Sequence, residues 1–233
     1  MKEAPKQKEE FVDRLSRSFA RSEQAQKLAL PKDLELLVTL FNNFETTLEM
    51  HKRRAGTWNC DFAKVAGGVE QSCSKRFNQD TFRQILTVAP DFFLHRWDVK
   101  QGKAVLYVDI PKNIEKVLIA IQTGDRKALA QLKEEHVSHG LVYESYLPSK
   151  VSTKRSEMFR QELIAYTYKC YRKEKRELME VNPDVAALIE DDEDLCEWPD
   201  FFDVDENVPE VPKAEMKPAP KIRGAQTMND LLE

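Results

Sequence analysis

A stripe of apolar residues downstream of Pro31 constrains the fold of this chain more than any other feature of its sequence. The residues recur every three or four positions, so they share one face of a helix. They are Leu34, Leu37, Phe41, Phe44 and Leu48. Pro31 suits the first turn of this helix, where no backbone donor is needed. Because so wide a stripe must face a core, the sequence predicts a packed helical domain.

Two shorter helices and a β-hairpin are predicted to follow. One helix begins near Asp61, a good N-cap residue, and contains the pair Gly67-Gly68, which we interpret as a point of close helix packing. The next helix begins near Asp80. Gly102 lies between FFLHRWDV and AVLYVDI, two segments rich in aromatic and β-branched residues, and this pattern is typical of a hairpin. Three helices followed by a two-stranded wing indicate a winged-helix domain over about residues 30–111.

Helical patterns continue beyond the hairpin. Residues 114–121 and 127–135 predict two short helices, and residues 152–180 predict a long one after a loop at 136–152. The long helix carries its own apolar stripe, Phe159, Leu163, Tyr166 and Cys170. The predicted fold class is therefore mostly α with a small β-hairpin: a winged-helix domain with additional helices and an acidic tail.

Charge and composition divide the chain into three predicted regions. They are a flexible, amphipathic N-terminal segment at 1–29, the winged-helix domain with its helical extension at 30–185, and an acidic, proline-containing tail at 186–233. Residues 1–189 carry 32 basic and 26 acidic side chains, whereas residues 190–233 carry 4 and 14. The basic body could attract DNA or an acidic partner, and an ordinary solvated surface explains it equally well.

Four large apolar residues stand out within the acidic tail. They are Trp198, Phe201, Phe202 and Val204. Residues of this kind in an acidic segment either dock on their own domain or bind a partner, because exposed apolar clusters are unfavourable in water. We favour docking on the domain.

No catalytic constellation is recognisable in the sequence. It lacks a Walker-type glycine-rich loop and HExxH and GxSxG motifs, and its four cysteines form no CxxC pair. We interpret His136 and His139 as a solvent-exposed pair, because no third metal ligand is near them. The acidic run at 191–194 lacks the glycine and spacing of a calcium loop. We expect no enzymatic activity, cofactor or metal and, since no apolar run reaches about 20 residues, no membrane association.

DNA binding is the main alternative function for a winged-helix domain, whose third helix usually enters the major groove. That helix carries one basic residue here, opposed by Asp80. The candidate DNA contacts lie on it, just before it and on the wing: Lys75, Arg76, Arg83, Lys100 and Lys103. Four or five phosphate contacts predict weak, salt-sensitive and non-specific binding. Residues that read base edges are scarce, so a sequence-specific regulator is the second hypothesis.

Two stretches, LPKDLELLVTLFNNFETTLEM and DFAKVAGGVEQSCSKRFNQDTFRQILTVAPDFF, resemble the middle domain of the replication licensing factors that geminin inhibits. The matching motifs are Leu30-Pro31, Phe62 to Val65, Gly68-Val69, Arg76-Phe77 and Gln84 to Pro90. The segment WPDFFDVDENVPEVP is also similar to the family's, so the resemblance spans residues 28–213. It implies a nuclear, non-enzymatic adaptor that helps load the MCM helicase at origins. Its implied partners are MCM, the origin-loading machinery and the geminin coiled-coil dimer.

The resemblance also implies where geminin binds, because the family's contact segment lies just before the LP motif. That segment maps onto an amphipathic stretch and its continuation: Phe11, Leu15, Phe19, Leu28 and Leu30. A short helix with one apolar stripe needs either its own domain or a partner groove to bury that stripe, and both interpretations stay open. Basic side chains beside the stripe could pair with an acidic coiled coil, which speeds association: Arg14, Arg17 and Arg21.

Overall fold

The computed structural model describes residues 6–23, 28–55, 60–111, 114–134, 149–181 and 197–220. Within these ranges the chain is mostly helical with one small antiparallel sheet, which confirms the coarse prediction of the fold class. The helices are α1 (Lys6–Glu23), α2 (Lys32–Ala55), α3 (Phe62–Cys73), α4 (Gln79–Val88), α5 (Ile114–Thr123), α6 (Arg126–Glu134), α7 (Ser149–Val181) and α8 (Val204–Asn207). The strands are β1 (Cys60–Asp61), β2 (Leu94–Lys100) and β3 (Lys103–Asp109).

Local capping explains where α3 and α4 begin. The Asp61 side chain accepts a hydrogen bond from the backbone N–H of Ala63 at 3.0 Å, so the predicted N-cap of α3 is confirmed. The cap of α4 is Asn78 instead of the neighbouring Asp80, because the Asn78 side chain accepts from the N–H of Thr81 at 3.0 Å. This leaves the Asp80 carboxylate exposed in the first turn, where it is free to pair with other segments.

The sheet has the strand order β1-β3-β2. Strands β2 and β3 form the predicted hairpin, closed by Gln101 and Gly102 with φ of 52° and 69°. Two consecutive left-handed residues are the conformation that a tight two-residue hairpin turn requires. Strand β1 was not predicted, because a two-residue strand has too little sequence for periodicity to show. It pairs with β3 through Cys60 and Val108.

Interlocking phenylalanines fill the core between α2, α3, α4 and α7. Phe41 stacks on Phe159 with ring centroids 4.2 Å apart, and the ring centroids of Phe44 and Phe82 are 5.4 Å apart. Gly68 lets α3 approach α2, because a Cβ at this position would lie 2.7 Å from Cγ2 of Thr47. The close packing predicted for the glycine pair is therefore confirmed at Gly68, whereas nothing crowds Gly67.

A buried ion pair joins α2 to α7. Nε of Arg155 lies 2.7 Å from Oε1 of Glu45, and the two side chains are 0% and 4% exposed. Arg155 also donates to the carbonyl oxygen of Phe92 at 3.0 Å, and Ser152 donates to Glu45 at 3.3 Å. Removing one member of such a pair strands a buried charge, so the pair fixes how α2 and α7 are oriented more than it adds net stability.

The burial pattern of α7 differs from the predicted stripe in its second half. Phe159 and Leu163 are fully buried as predicted, but Tyr166 and Cys170 are only half-buried. Tyr171 is buried instead. The reason is that the second half of α7 packs against a different partner, because the Tyr171 ring contacts the rings of Trp198, Phe201 and Phe202 near the C-terminal end of the described chain. The predicted loop at 136–152 lies outside the described residues except for its last four, which belong to α7.

Candidate interaction surfaces

The predicted partner-binding stripe of α1 lies against the rest of the domain. Leu15 and Phe19 are 2% and 8% exposed, and Val12 is buried beside them. Helix α1 contacts α5, α6 and α7, and the Lys154 ammonium lies 4.3 Å from the centroid of the Phe19 ring. The side chain of Phe11 lies outside the described part of the chain. Of the two interpretations left open by the sequence, packing on its own domain is the observed one.

The segment leading from α1 into α2 is buried as well. Leu28 and Leu30 are 0% and 6% exposed, so both belong to the core. Between them, the carbonyl oxygen of Ala29 accepts a hydrogen bond from Nε1 of Trp198 at 2.7 Å. The predicted anchors Leu15, Phe19, Leu28 and Leu30 are thus inaccessible to a partner while α1 stays docked.

The solvent side of α1 is basic. Arg14 makes a two-point contact with Asp91, with Nε 2.6 Å from Oδ2 and the terminal nitrogen 2.7 Å from Oδ1. Arg17 is exposed one turn further along. Both arginines line a cleft of about 220 Å³ between α1, the α4–β2 corner and α7, together with Pro90 and Glu162. This face offers cations beside a small cleft and not an apolar stripe.

Four of the five predicted DNA contacts are exposed. Lys75 and Arg76 lie in the connection between α3 and α4, and Lys100 and Lys103 face each other across the hairpin turn. Arg83 differs from them, because its Nε donates to the carbonyl oxygen of Ala214 at 2.7 Å. The one basic residue of α4 is therefore engaged by the C-terminal part of the same chain.

Residues 208–217, which we call the strap, run in extended form over α4. The backbone N–H of Ala214 donates back to the carbonyl oxygen of Arg83 at 3.1 Å. Lys213 lies 3.1 Å from Asp80. The hydrogen bond from Lys213 lowers the pKa of the Asp80 carboxyl, with Arg83 adding to the effect. The strap is thus paired with α4 through backbone and charge together.

Two further side chains of α4 hold the strap. Gln84 donates to the carbonyl oxygen of Val211 at 3.3 Å and to the Glu210 carboxylate at 2.7 Å. Thr87 donates to the carbonyl oxygen of Pro212 at 2.6 Å. Side chains on successive turns of α4 therefore donate hydrogen bonds to backbone carbonyl oxygens of the strap.

Both ends of the strap are fastened to other elements. Nε1 of Trp97, on β2, donates to the carbonyl oxygen of Lys217 at 2.8 Å. The hydroxyl of Tyr166, on α7, donates to the carbonyl oxygen of Pro209 at 3.3 Å. Sequence reasoning missed the strap, although the spacing of Val211, Ala214 and Met216 was a weak sign that one side of it is covered.

The tail aromatics dock on α7, as favoured from the sequence. Trp198 and Phe202 pack with their ring centroids 5.4 Å apart, and Phe202 is 3% exposed. Tyr171 of α7 lies within 5.9 Å of the rings of Trp198, Phe201 and Phe202. The described part of the tail, residues 197–220, therefore packs on the domain through these aromatic residues and the strap.

The described residues do not bring together the ligands of a metal site. They contain no group of three or more histidine, cysteine or acidic side chains placed to hold a metal ion. Burial raises the pKa of the Cys60 thiol to about 11, with Asp109 and Asp61 adding to the effect, so it is not a thiolate nucleophile at neutral pH. His136, His139 and the acidic run at 191–194 lie outside the described residues. None of the described helices is long and apolar enough to cross a membrane.

Comparison with known proteins places these surfaces in a class of DNA replication proteins. The family model for DNA replication factor CDT1-like proteins matches residues 30–217, from the start of α2 to the end of the strap. The chain belongs to this family.

Two relatives agree with this assignment. DNA replication factor Cdt1 of Mus musculus is 26% identical over 205 residues, which cover 88% of this chain and 32% of the relative. DNA replication factor Cdt1 of Xenopus laevis is 28% identical over 208 residues, which cover 88% of this chain and 30% of the relative. The chain thus spans about a third of the length of these relatives.

Proposed function

We propose that this chain is part of a replication licensing adaptor that acts in the nucleus. In this proposal it promotes loading of the MCM helicase at origins, and a geminin coiled coil inhibits it by binding. The family match over residues 30–217 carries the proposal. We interpret α2 to β3 as a winged helix, because a helix, a short strand, two helices and a hairpin follow one another in that order.

While the strap is docked, the covering of α4 favours a protein-binding adaptor over a DNA reader. A winged helix that reads sequence needs its third helix open to the major groove. Here the strap lies on that helix and engages Arg83, Gln84 and Thr87. The tail of an adaptor can stay in this position while other surfaces bind proteins.

For the geminin contact we keep the segment from Phe11 to Leu30. Because Leu15, Phe19, Leu28 and Leu30 are buried, contact through them requires α1 to leave the domain. Contact through Arg14, Arg17 and the cleft between them leaves α1 docked. Arg14 is already paired with Asp91, which leaves the exposed Arg17 to meet an acidic partner. We favour the docked mode, since an exposed arginine beside a cleft suits an acidic coiled coil with one side chain inserted.

The first experiment is size-exclusion chromatography with light scattering on a mixture of this chain and the geminin coiled coil of the same organism. A stable complex eluting together is the expected result. A folded chain that elutes separately from geminin would contradict the geminin part of the proposal. MCM would then be tested as the direct partner in the same way.

Variants of α1 separate the two contact modes. Arg17→Glu reverses an exposed charge, so in the docked mode it slows association with geminin about tenfold while the melting temperature is unchanged. Lys64→Glu, an exposed reversal on α3, is the matched control and leaves association unchanged. If Arg17→Glu has no effect and Leu15→Ala abolishes binding in a chain that is still folded, α1 binds through its stripe.

Weak DNA binding is the second candidate function. Four exposed cations, Lys75, Arg76, Lys100 and Lys103, favour it. About four phosphate contacts predict affinity that falls steeply with salt and does not depend on sequence. Fluorescence anisotropy with random duplexes at two salt concentrations tests this. A large preference for one sequence would instead indicate a regulator that reads bases.

A further inference from the structure

The donors of α4 are directed at a row of carbonyl oxygens. Arg83, Gln84 and Thr87 donate to the carbonyls of Ala214, Val211 and Pro212 respectively. Base edges in the major groove present the same kind of acceptor, such as O6 of guanine and O4 of thymine. Arginine, glutamine and threonine are among the side chains that read these edges. In its hydrogen-bonding pattern the strap therefore imitates a set of base edges.

We propose that this face of α4 is a masked binding site for the major groove of duplex DNA, and that the strap is an intrachain plug occupying it. The inference rests on the winged-helix part of the proposed function. Strap and DNA exclude each other, because Nε of Arg83 has a single hydrogen to donate and the docked strap engages it. The one hydrogen of the Thr87 hydroxyl is shared between the carbonyl oxygens of Pro212, at 2.6 Å, and Arg83, at 3.1 Å.

Most side chains of the strap are not buried. Val211 is its one fully buried side chain, Val208, Ala214 and Met216 are partly buried against the core, and Glu210, Pro212, Lys213 and Glu215 are exposed. Segments with few buried apolar contacts open at a free energy far below that of global unfolding. Displacement therefore uncovers α4 without dismantling the phenylalanine core.

Two substitutions in the full chain release the strap by independent means. Val211→Asp puts a charge at a position that is 2% exposed. Lys213→Glu puts a like charge opposite Asp80, which Lys213 now contacts at 3.1 Å. The second change is on the surface, so it does not threaten the fold. Release is detected by a shift of the Trp97 indole N–H resonance, since that N–H donates to the carbonyl oxygen of Lys217 in the docked strap.

DNA affinity is then measured by fluorescence anisotropy with a random duplex. Both substitutions add negative charge, so ordinary electrostatics predicts weaker binding in each. The proposal predicts the opposite: about tenfold tighter binding, the amount that one good arginine–base contact supplies. Glu215→Gln, an exposed change within the strap, is the control that leaves the strap docked. Adding Arg83→Ala to either released variant should remove the gain.

Released strap with unchanged or weaker DNA binding would overturn the inference, and the strap would then be a structural clasp. Persistence of the gain after Arg83→Ala would overturn it too, because the contact would lie elsewhere than α4. The result is independent of the adaptor proposal, which the geminin chromatography tests. Failure of one experiment therefore leaves the other interpretable.

Discussion

Helix α1 and the strap come from opposite ends of the described chain and both cover the central helices, but different forces hold them. Helix α1 buries Val12, Leu15 and Phe19 against neighbouring helices. The strap has one fully buried side chain, Val211, and is held mainly by side-chain donors that meet its carbonyl oxygens. The attachment of α1 depends on buried apolar area, and the attachment of the strap depends mainly on hydrogen bonds.

This difference determines how firmly each covering is attached. Burying a large aliphatic side chain is worth about 1.5–3 kcal/mol, whereas a typical hydrogen bond adds a net 0.5–1.5 kcal/mol, because water satisfies the same groups when the strap is off. Each apolar anchor of α1 is therefore worth more than each hydrogen bond of the strap. Because water can replace the hydrogen bonds of the strap one by one, we expect the strap to open more readily than the 18-residue α1.

The largest expected effect comes from removing an anchor of α1. Leu15→Ala should lower the free energy of unfolding by about 2–5 kcal/mol, because it leaves a cavity beneath a helix that cannot collapse into it. In the strap, Val211→Ala removes two methyl groups and should cost about 1.5 kcal/mol. Urea denaturation monitored by circular dichroism measures both. Equal losses in the two variants would contradict the contrast between the coverings.

The sequence was sufficient for most of the helices and for the apolar face of α1. Apolar periodicity predicted α2, α3, the hairpin and the face of α1 that carries Leu15 and Phe19, because a buried face requires apolar side chains at the period of the helix or strand. It did not predict what would cover that face, since a stripe looks the same whether its own domain or a partner buries it. The assignment of that stripe to geminin stays a prediction.

Strand β1 was not predicted because it is too short. The strap was not predicted for a different reason. Hydrogen bonds to a main chain place no requirement on the residue type of the acceptor, so the strap gave no signal beyond the weak apolar spacing of Val211, Ala214 and Met216. Arg83 was predicted as a phosphate contact from its charge alone, and its actual acceptor is 131 positions along the chain. The division into regions 1–29, 30–185 and 186–233 stays a prediction, although α1 and the tail both pack on the middle region.

A smaller effect is expected where Ala29, just before α2, meets Trp198 of the tail. Trp198→Phe keeps an aromatic ring and removes the hydrogen bond to the carbonyl of Ala29, at a cost of about 1 kcal/mol. Hydrogen exchange should increase both around Ala29 and at 197–207, since this bond joins the two segments together with the bonds from Lys32 to Asp205. Trp97→Phe is the control, because it loses only the bond to Lys217. Faster exchange around Ala29 alone, or at 197–207 alone, would mean that these two segments are attached independently.

Thr87→Val should have a still smaller and strictly local effect. The substitution is nearly isosteric and removes the hydrogen bond to the carbonyl of Pro212, with an expected loss of about 0.5–1 kcal/mol. Strap amides should exchange faster, while global stability hardly changes. Thr39→Val is the matched control, since both hydroxyls donate to the carbonyl four residues earlier and only Thr87 also reaches the strap. Exchange that rises equally in both variants would exclude a specific role for Thr87.

The smallest effect is a pH response confined to the strap. Asp80 has a lowered pKa while Lys213 and Arg83 face it, and release of the strap returns the pKa toward its ordinary value. A carboxyl whose pKa is lower in the docked state favours docking above the released-state pKa of about 3.9, and this contribution is lost as pH falls through the docked-state pKa. Acidification through about pH 4 should therefore shift the Trp97 indole resonance toward its released position. Asp80→Asn should lower the population of the docked strap at neutral pH and flatten this titration. An unchanged midpoint in Asp80→Asn would assign the response to another carboxylate and leave hydrogen bonds from Arg83, Gln84 and Thr87 as the main attachment.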